Sequence, residues 1–191
     1  YPRKESREEY TVKYTSSEAA KLLRTLNEEY DALRYKEGQT CEFVAAVGED
    51  IETVRPEYDY PGMQRKLKRL EEQIRAVKHE INRFNLNTVV PGFDMTIDQM
   101  LIYIPQLTAR KRKLYAMMNR LPKQRERAAG SGKNYLIEYS YANYDISAAG
   151  EDYRRTSAEL VRAQTALDLV NNTETMEISG IDIKELEEEF A

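Results

Sequence analysis

The stretch Met63–Phe84, MQRKLKRLEEQIRAVKHEINRF, decides the fold. Met63, Leu67, Leu70, Ile74, Val77, Ile81 and Phe84 recur at alternating steps of four and three, with Arg, Lys, Glu and Gln between them. That period of about 3.5 residues sets the apolar side chains along one stripe of an α-helix and leaves the other face charged. The stripe runs about 33 Å at 1.5 Å per residue. Each seam side chain contributes about 1.5–3 kcal/mol when buried, before ordering costs. A lone helix of this kind is marginal in water, so the seam requires a partner.

Matching seams lie on either side of it. Upstream, Ala19, Leu23, Leu26, Tyr30 and Leu33 keep the same rhythm. Downstream, Met100, Ile104, Leu107, Leu114, Met118 and Leu121 do so, with Lys111 the one polar member, and Ile146, Ala149, Tyr153, Thr156, Leu160, Ala163, Leu167 and Val170 form a fourth seam. Thr15-Ser-Ser-Glu18 and Thr96-Ile-Asp-Gln99 are capping boxes, and Asp59 and Asp145 are N-cap residues for the other two helices. Gly38 reads as a helix stop and Asn85–Phe93, with Pro91-Gly92, as a connection. Pro105 lies inside the third helix and predicts a kink. Pro122 ends its seam.

Elsewhere the period drops to two. Tyr10, Val12 and Tyr14 alternate as a short strand, and Tyr135, Ile137, Tyr139 and Tyr141 give a second strand signature within Asn134–Ile146. Glu174–Ser179 alternates as well and is a candidate partner for the tyrosine-rich strand. Thr40–Val47 reads as a strand or an apolar loop, Gly48–Tyr58 as a linker or loop, and Lys123–Lys133 as a turn region. The fold expected is mainly α: long amphipathic helices in an antiparallel bundle or coiled coil, with a small β element near one end. Residues 1–14 form a leader with a possible short strand, 15–179 a helical bundle domain with small strands, and 180–191 an acidic tail.

Composition narrows the function classes. The chain has 191 residues, 32% charged, with fourteen Tyr and no Trp, and the excess of charge suits long solvated helix faces. The net charge of −4 gives no overall pull toward nucleic acid or an acidic membrane. No apolar run reaches the ~18 residues of a transmembrane span. The single Cys41 rules out an internal disulfide and fits a reducing, cytoplasmic compartment.

Few residues offer chemistry. His79 is the sole histidine and falls off the seam, and one His with one Cys builds no zinc site. No metal site, cofactor or catalytic residue is expected. A Cys41–His79 nucleophile pair is disfavoured. Ala129–Lys133 has glycines and a lysine, but Arg127 and Asn134 break the phosphate-loop pattern, so it reads as a flexible turn. Arg110, Lys111, Arg112, Lys113, Arg120, Lys123, Arg125 and Arg127 form a basic strip that a phosphate backbone can bind. The alternative reading is a solvated face balanced by acidic helices. Asn82, Arg83 and Asn85 follow a seam residue where the second helix ends, either as a helix stop or as a partner or ligand contact.

The run Ile81-Asn82-Arg83 with Asn85 and Thr88, then Met95–Met100 and the helix end at Asn171-Asn172-Thr173, resembles bacterial proteins labelled septicolysin or septicolysin-like. The likeness runs from about Tyr14 to Ile178. It implies a similar order of helices and strands, and its toxin-like label implies a membrane-active pore former. No segment here reads as an amphipathic hairpin meant for lipid. The expected function is a non-enzymatic coiled-coil interaction protein that forms a homo-oligomer and engages a protein partner. A nucleic-acid-binding accessory factor is the alternative, and a membrane-active toxin the second alternative.

Overall fold

A computed structural model describes residues 11–126 and 137–179. The chain is mainly α with small antiparallel strand pairs, as the periodicity predicts. It forms two compact units. One unit takes the described residues up to Asn87 together with those from Val170 onward, and the other is Thr88–Leu169.

The first unit is a helical hairpin with a strand pair laid on it. Strand β1 (Thr11–Thr15) leads directly into α1 (Ser16–Thr40). The capping box at their junction is complete: the Thr15 hydroxyl accepts from the Glu18 N–H at 3.2 Å, and the Glu18 carboxylate accepts from the Thr15 N–H at 2.8 Å. That backbone bond, with the Thr15 hydroxyl, holds the Glu18 carboxyl below its usual range. Helix α1 continues past Gly38, where a stop is expected, to Thr40, and Cys41 closes it by donating to the Glu37 carbonyl at 2.8 Å. A one-turn helix α2 (Ile51–Val54) interrupts the long connection, capped by Asp50.

Helix α3 (Tyr60–Asn87) carries the deciding seam. Asp59 starts it as expected, accepting from the Gly62 N–H at 3.0 Å through its side chain and from the Met63 N–H at 2.9 Å through its carbonyl. Tyr58 and Gln64 both meet Glu37, and Tyr30 meets Glu71, so α1 and α3 run antiparallel. Leu67, Leu70 and Val77 are buried, with Ile74, Ile81 and Phe84 partly so. The core adds Ala19, Leu22 and Leu26 of α1. Strand β6 (Thr175–Ser179) pairs antiparallel with β1, matching Val12 with Ile178 and Tyr14 with Met176. Those four side chains share the inward face and join the same core, whereas Lys13 and Glu177 pair outward at 3.9 Å. β6 therefore pairs with the N-terminal strand and not with the tyrosine-rich one. Its alternating Met176 and Ile178 need an apolar floor, and α1 and α3 supply it.

The second unit opens on a tight hairpin, β2 (Val89–Val90) and β3 (Met95–Thr96). The segment expected as an open connection is thus divided: α3 extends to Asn87, and the hairpin follows. Phe93 donates to the Val90 carbonyl at 3.3 Å, and Gly92 takes φ +82° behind Pro91, the arrangement of a type II turn. Thr96 then caps α4 (Ile97–Met118) with Gln99 in a second complete capping box. Helix α4 continues through Pro105. Helix α5 (Ile146–Thr173) begins where Asp145 accepts from the Ser147 N–H at 2.8 Å. Contacts of Tyr103 with Glu159, and of Tyr115 with Tyr153, show α4 and α5 antiparallel. Ile97, Met100 and Leu107 are buried on α4, and Ala149, Thr156, Leu160, Ala163 and Leu167 on α5, so nearly every predicted seam position holds. Leu121 is the exception and is exposed.

Between α4 and α5 the turn region expected at Lys123–Lys133 contains a strand. β4 (Lys123–Arg125) pairs antiparallel with β5 (Tyr139–Tyr141). Of the segment Asn134–Ile146 read as a strand, only these three residues are extended and paired among the described residues, and Ile146 already belongs to α5. The leader up to Tyr10, the turn expected at Ala129–Lys133, Arg127 and the acidic tail from 180 lie outside the described residues.

Candidate functional site

Asn82, Arg83 and Asn85 sit in the last turns of α3. Asn82 and Arg83 face solvent, and Arg83 pairs with Glu80 one turn back. The Arg83 carbonyl accepts from the Asn87 side chain at 2.7 Å, at the end of a helix that runs three residues into the expected connection. Asn85 is half-buried, and its Oδ1 lacks a donor among the described residues, as does Oδ1 of Asn171. Asn172 accepts from the Ser17 hydroxyl at 2.9 Å, and the Asn171 carbonyl from the same hydroxyl at 3.3 Å. The motif residues thus divide into two exposed polar groups and one inward amide.

The basic strip is broken up by the fold. Arg110 and Lys113 line a groove of about 480 Å³ with Asp152, Arg155 and Glu159. Asp152 pairs with Arg155, and Glu159 accepts from the Tyr103 hydroxyl and so holds that phenol above its usual value. Lys111 lies 6.0 Å from the centre of the Tyr153 ring. Arg112 and Arg120 point to solvent. Among the described residues, the α5 carboxylates of this groove are engaged by Arg155 and Tyr103 and not by the α4 cations.

Lys123 and Arg125 behave differently. In the β4–β5 register Lys123 opposes Tyr141 and Arg125 opposes Tyr139. Directly opposed residues, and residues two apart along a strand, share a face. All four therefore lie on one side of the ribbon, and the Lys123 ammonium stands 4.1 Å from the Tyr139 ring centre and 5.5 Å from that of Tyr141. Gln124, Ser140, Glu126 and Glu138 take the other side, the Glu126 N–H donating to the Glu138 carbonyl at 2.9 Å. Sequence spacing misses this cluster because Lys123–Lys133 reads as a turn; the available signals are the alternation of Lys123 with Arg125 and that of Tyr139 with Tyr141. Tyr144, at the end of the same tyrosine run, instead donates to the Met117 carbonyl at 2.8 Å.

The loop joining α1 to α3 is the other exposed feature. Thr40–Val47, left open between strand and loop, is a loop from Cys41 onward. Val44 and Val47 are 94% and 108% exposed, with Phe43 and Ile51 also open to solvent. The loop is nonetheless ordered by its own bonds. Ala46 donates to the Glu49 carboxylate at 2.9 Å and accepts from the Glu49 N–H at 3.1 Å, and the Arg55 guanidinium lies 5.7 Å from the Phe43 ring centre.

Cys41 and His79 do not meet. Cys41 follows Glu37, which bonds Gln64, whereas His79 lies fifteen residues further along α3, about 22 Å away at 1.5 Å per residue. No group of His, Cys, Asp and Glu among the described residues is arranged to hold a metal ion. No helix among them is long and apolar enough to cross a membrane.

No protein-family model matches the sequence. No curated protein matches it either. Among solved structures, the chain is similar to a functionally unknown conserved protein from Corynebacterium diphtheriae, with a TM-score of 0.54 and 14% identity. The match covers 86% of this chain and 99% of that one. At that identity the likeness concerns the fold alone.

Proposed function

We propose that this is a non-enzymatic interaction protein that self-associates and engages a protein partner through surfaces outside its helical seams. The observation that carries the reading is the loop Phe43–Val47. Its valines are ordered in water while the heptad seams are buried within each hairpin. Clustered apolar side chains held in solvent mark a surface that is covered by another molecule. Asn82, Arg83 and Asn85 form a second, polar contact in this reading. A cytoplasmic location, supported by the lone Cys41, belongs to the proposal, as does kinship with septicolysin-like proteins on the Ile81–Asn85 and Asn171–Thr173 residues. Light scattering over a range of protein concentrations tests self-association, and a pull-down from native lysate tests for the partner. A mass that stays monomeric with nothing captured discards the reading.

Nucleic-acid binding is the second reading, favoured by the face that combines Lys123, Arg125, Tyr139 and Tyr141. Such a face offers cations for phosphate and rings on which bases stack. Retention on heparin that falls with salt, and is lost when Lys123 and Arg125 become Gln, supports it. Elution indifferent to those changes removes it.

A further inference from the structure

We infer that the α1–α3 loop of one copy docks on the basic tyrosine face of the β4–β5 ribbon of a second copy. The inference rests on the self-association proposed above and names the two surfaces that meet. The first argument is charge. From Glu42 to Asp59 the loop carries six acids against Arg55 alone. Among the described residues the ribbon face holds Lys123 and Arg125 with no acid, because the alternation of the paired strands turns Glu126 and Glu138 to the far side. Two surfaces of one chain thus carry opposite charge, and each is the natural complement of the other in a second copy.

The second argument is that both surfaces combine charge with exposed apolar area. Val44, Val47 and Ile51 stand beside the acids of the loop. Tyr139 and Tyr141 carry the ribbon face, and exposed Leu121 and Ile137 adjoin it. Apolar side chains at the centre and charges at the rim are the composition of a protein–protein contact. Tyrosines have few rotatable bonds, so ordering them on contact costs little. Leu121 and Ile137 would contribute nothing to a bound phosphate backbone, which is why a protein surface fits this ribbon better than a nucleic acid does.

The third argument is order. Glu49 is held against Ala46, and Lys123 is held over Tyr139, so neither surface needs to be built during association.

The experiment compares four samples by light scattering, with circular dichroism confirming equal helix content. They are the unaltered chain, Glu42→Lys/Glu49→Lys, Lys123→Glu/Arg125→Glu, and an equimolar mixture of the two variants. The pairing predicts that each variant alone associates ~10-fold or more weakly. The mixture recovers the mass of the unaltered chain, because the cations placed at positions 42 and 49 then meet the carboxylates placed at positions 123 and 125. Variants that keep the unaltered mass overturn the pairing and leave self-association standing. An unaltered chain that is monomeric throughout overturns both. If the ribbon variant loses oligothymidylate binding while its mass does not change, the ribbon is a nucleic-acid surface and the pairing falls. A mixture that stays monomeric after both variants, at equal helix content, dissociate also discards it.

Discussion

The Tyr58 hydroxyl donates to the Glu37 carboxylate at 2.7 Å and so ties the residues entering α3 to the closing turns of α1. The same carboxylate accepts from Gln64 Nε2 at 2.6 Å. Across a connection of some twenty residues, this one acceptor fixes how the second helix starts against the first.

The bond makes the first unit sensitive to alkali. The hydrogen bond to Glu37, with the loss of water around the ring and the Glu37 charge, disfavours ionisation of Tyr58 and pushes the phenol from 10.0 up to about 12. A group raised in the folded state contributes stability that is full below its unfolded value and is lost as pH rises through its folded value. Stability should therefore decline between pH 10.0 and about 12. Tyr30, which donates to Glu71, and Tyr103, which donates to Glu159, are raised in the same direction. Phenolate absorbance followed against helix content checks the sign. In Tyr58→Phe the decline should be shallower, and an unchanged profile would show that Glu37 does not act through this bond.

Leu22 and Leu23 are neighbours with different fates. Leu22 is 0% exposed, whereas Leu23 only flanks the core. Leu22→Ala should cost about 2–5 kcal/mol, because it leaves a cavity in a fully enclosed site. Leu23→Ala should cost clearly less. Urea unfolding of the two variants measures the difference, and equal losses would mean that the packing is assigned wrongly.

That pair also shows what periodicity can and cannot read. A heptad seam records burial against one neighbouring helix, and on that basis Ala19, Leu23 and Leu26 are selected. The β1–β6 pair lies over a second side of α1 and draws Leu22 inward. The pairing of β1 with β6 joins residues at opposite ends of the chain, and alternation alone does not specify a strand's partner. The long seams and four helix starts were legible because each is written in residues only three or four positions apart. The Lys123–Tyr139 face was not, since its strands are short and not adjacent in sequence.

Gly62 tests how tightly the start of α3 is built. Replacing a glycine inside a helix by alanine ordinarily stabilises by about 1 kcal/mol. Here an added Cβ would lie within 2.1 Å of Asp59 Oδ2, the carboxylate that caps the Gly62 N–H. Gly62→Ala should displace the cap and forfeit about 1 kcal/mol. The net change in thermal stability is then near zero or negative. A clear gain would show that Asp59 can swing aside without loss.

Val44 and Val47 separate surface function from folding. Neither contributes to a core, so Val44→Lys/Val47→Lys should leave the unfolding free energy within about 0.5 kcal/mol of the unaltered chain. The same two changes place cations at the centre of the surface proposed for association, against Lys123 and Arg125 of the second copy, where like charges are strongly disfavoured. The predicted result is an unchanged melting curve with loss of the associated species in light scattering. If melting temperature and mass fall together, the loop supports the hairpin that carries it. If neither changes, the exposed valines are not the surface by which copies meet.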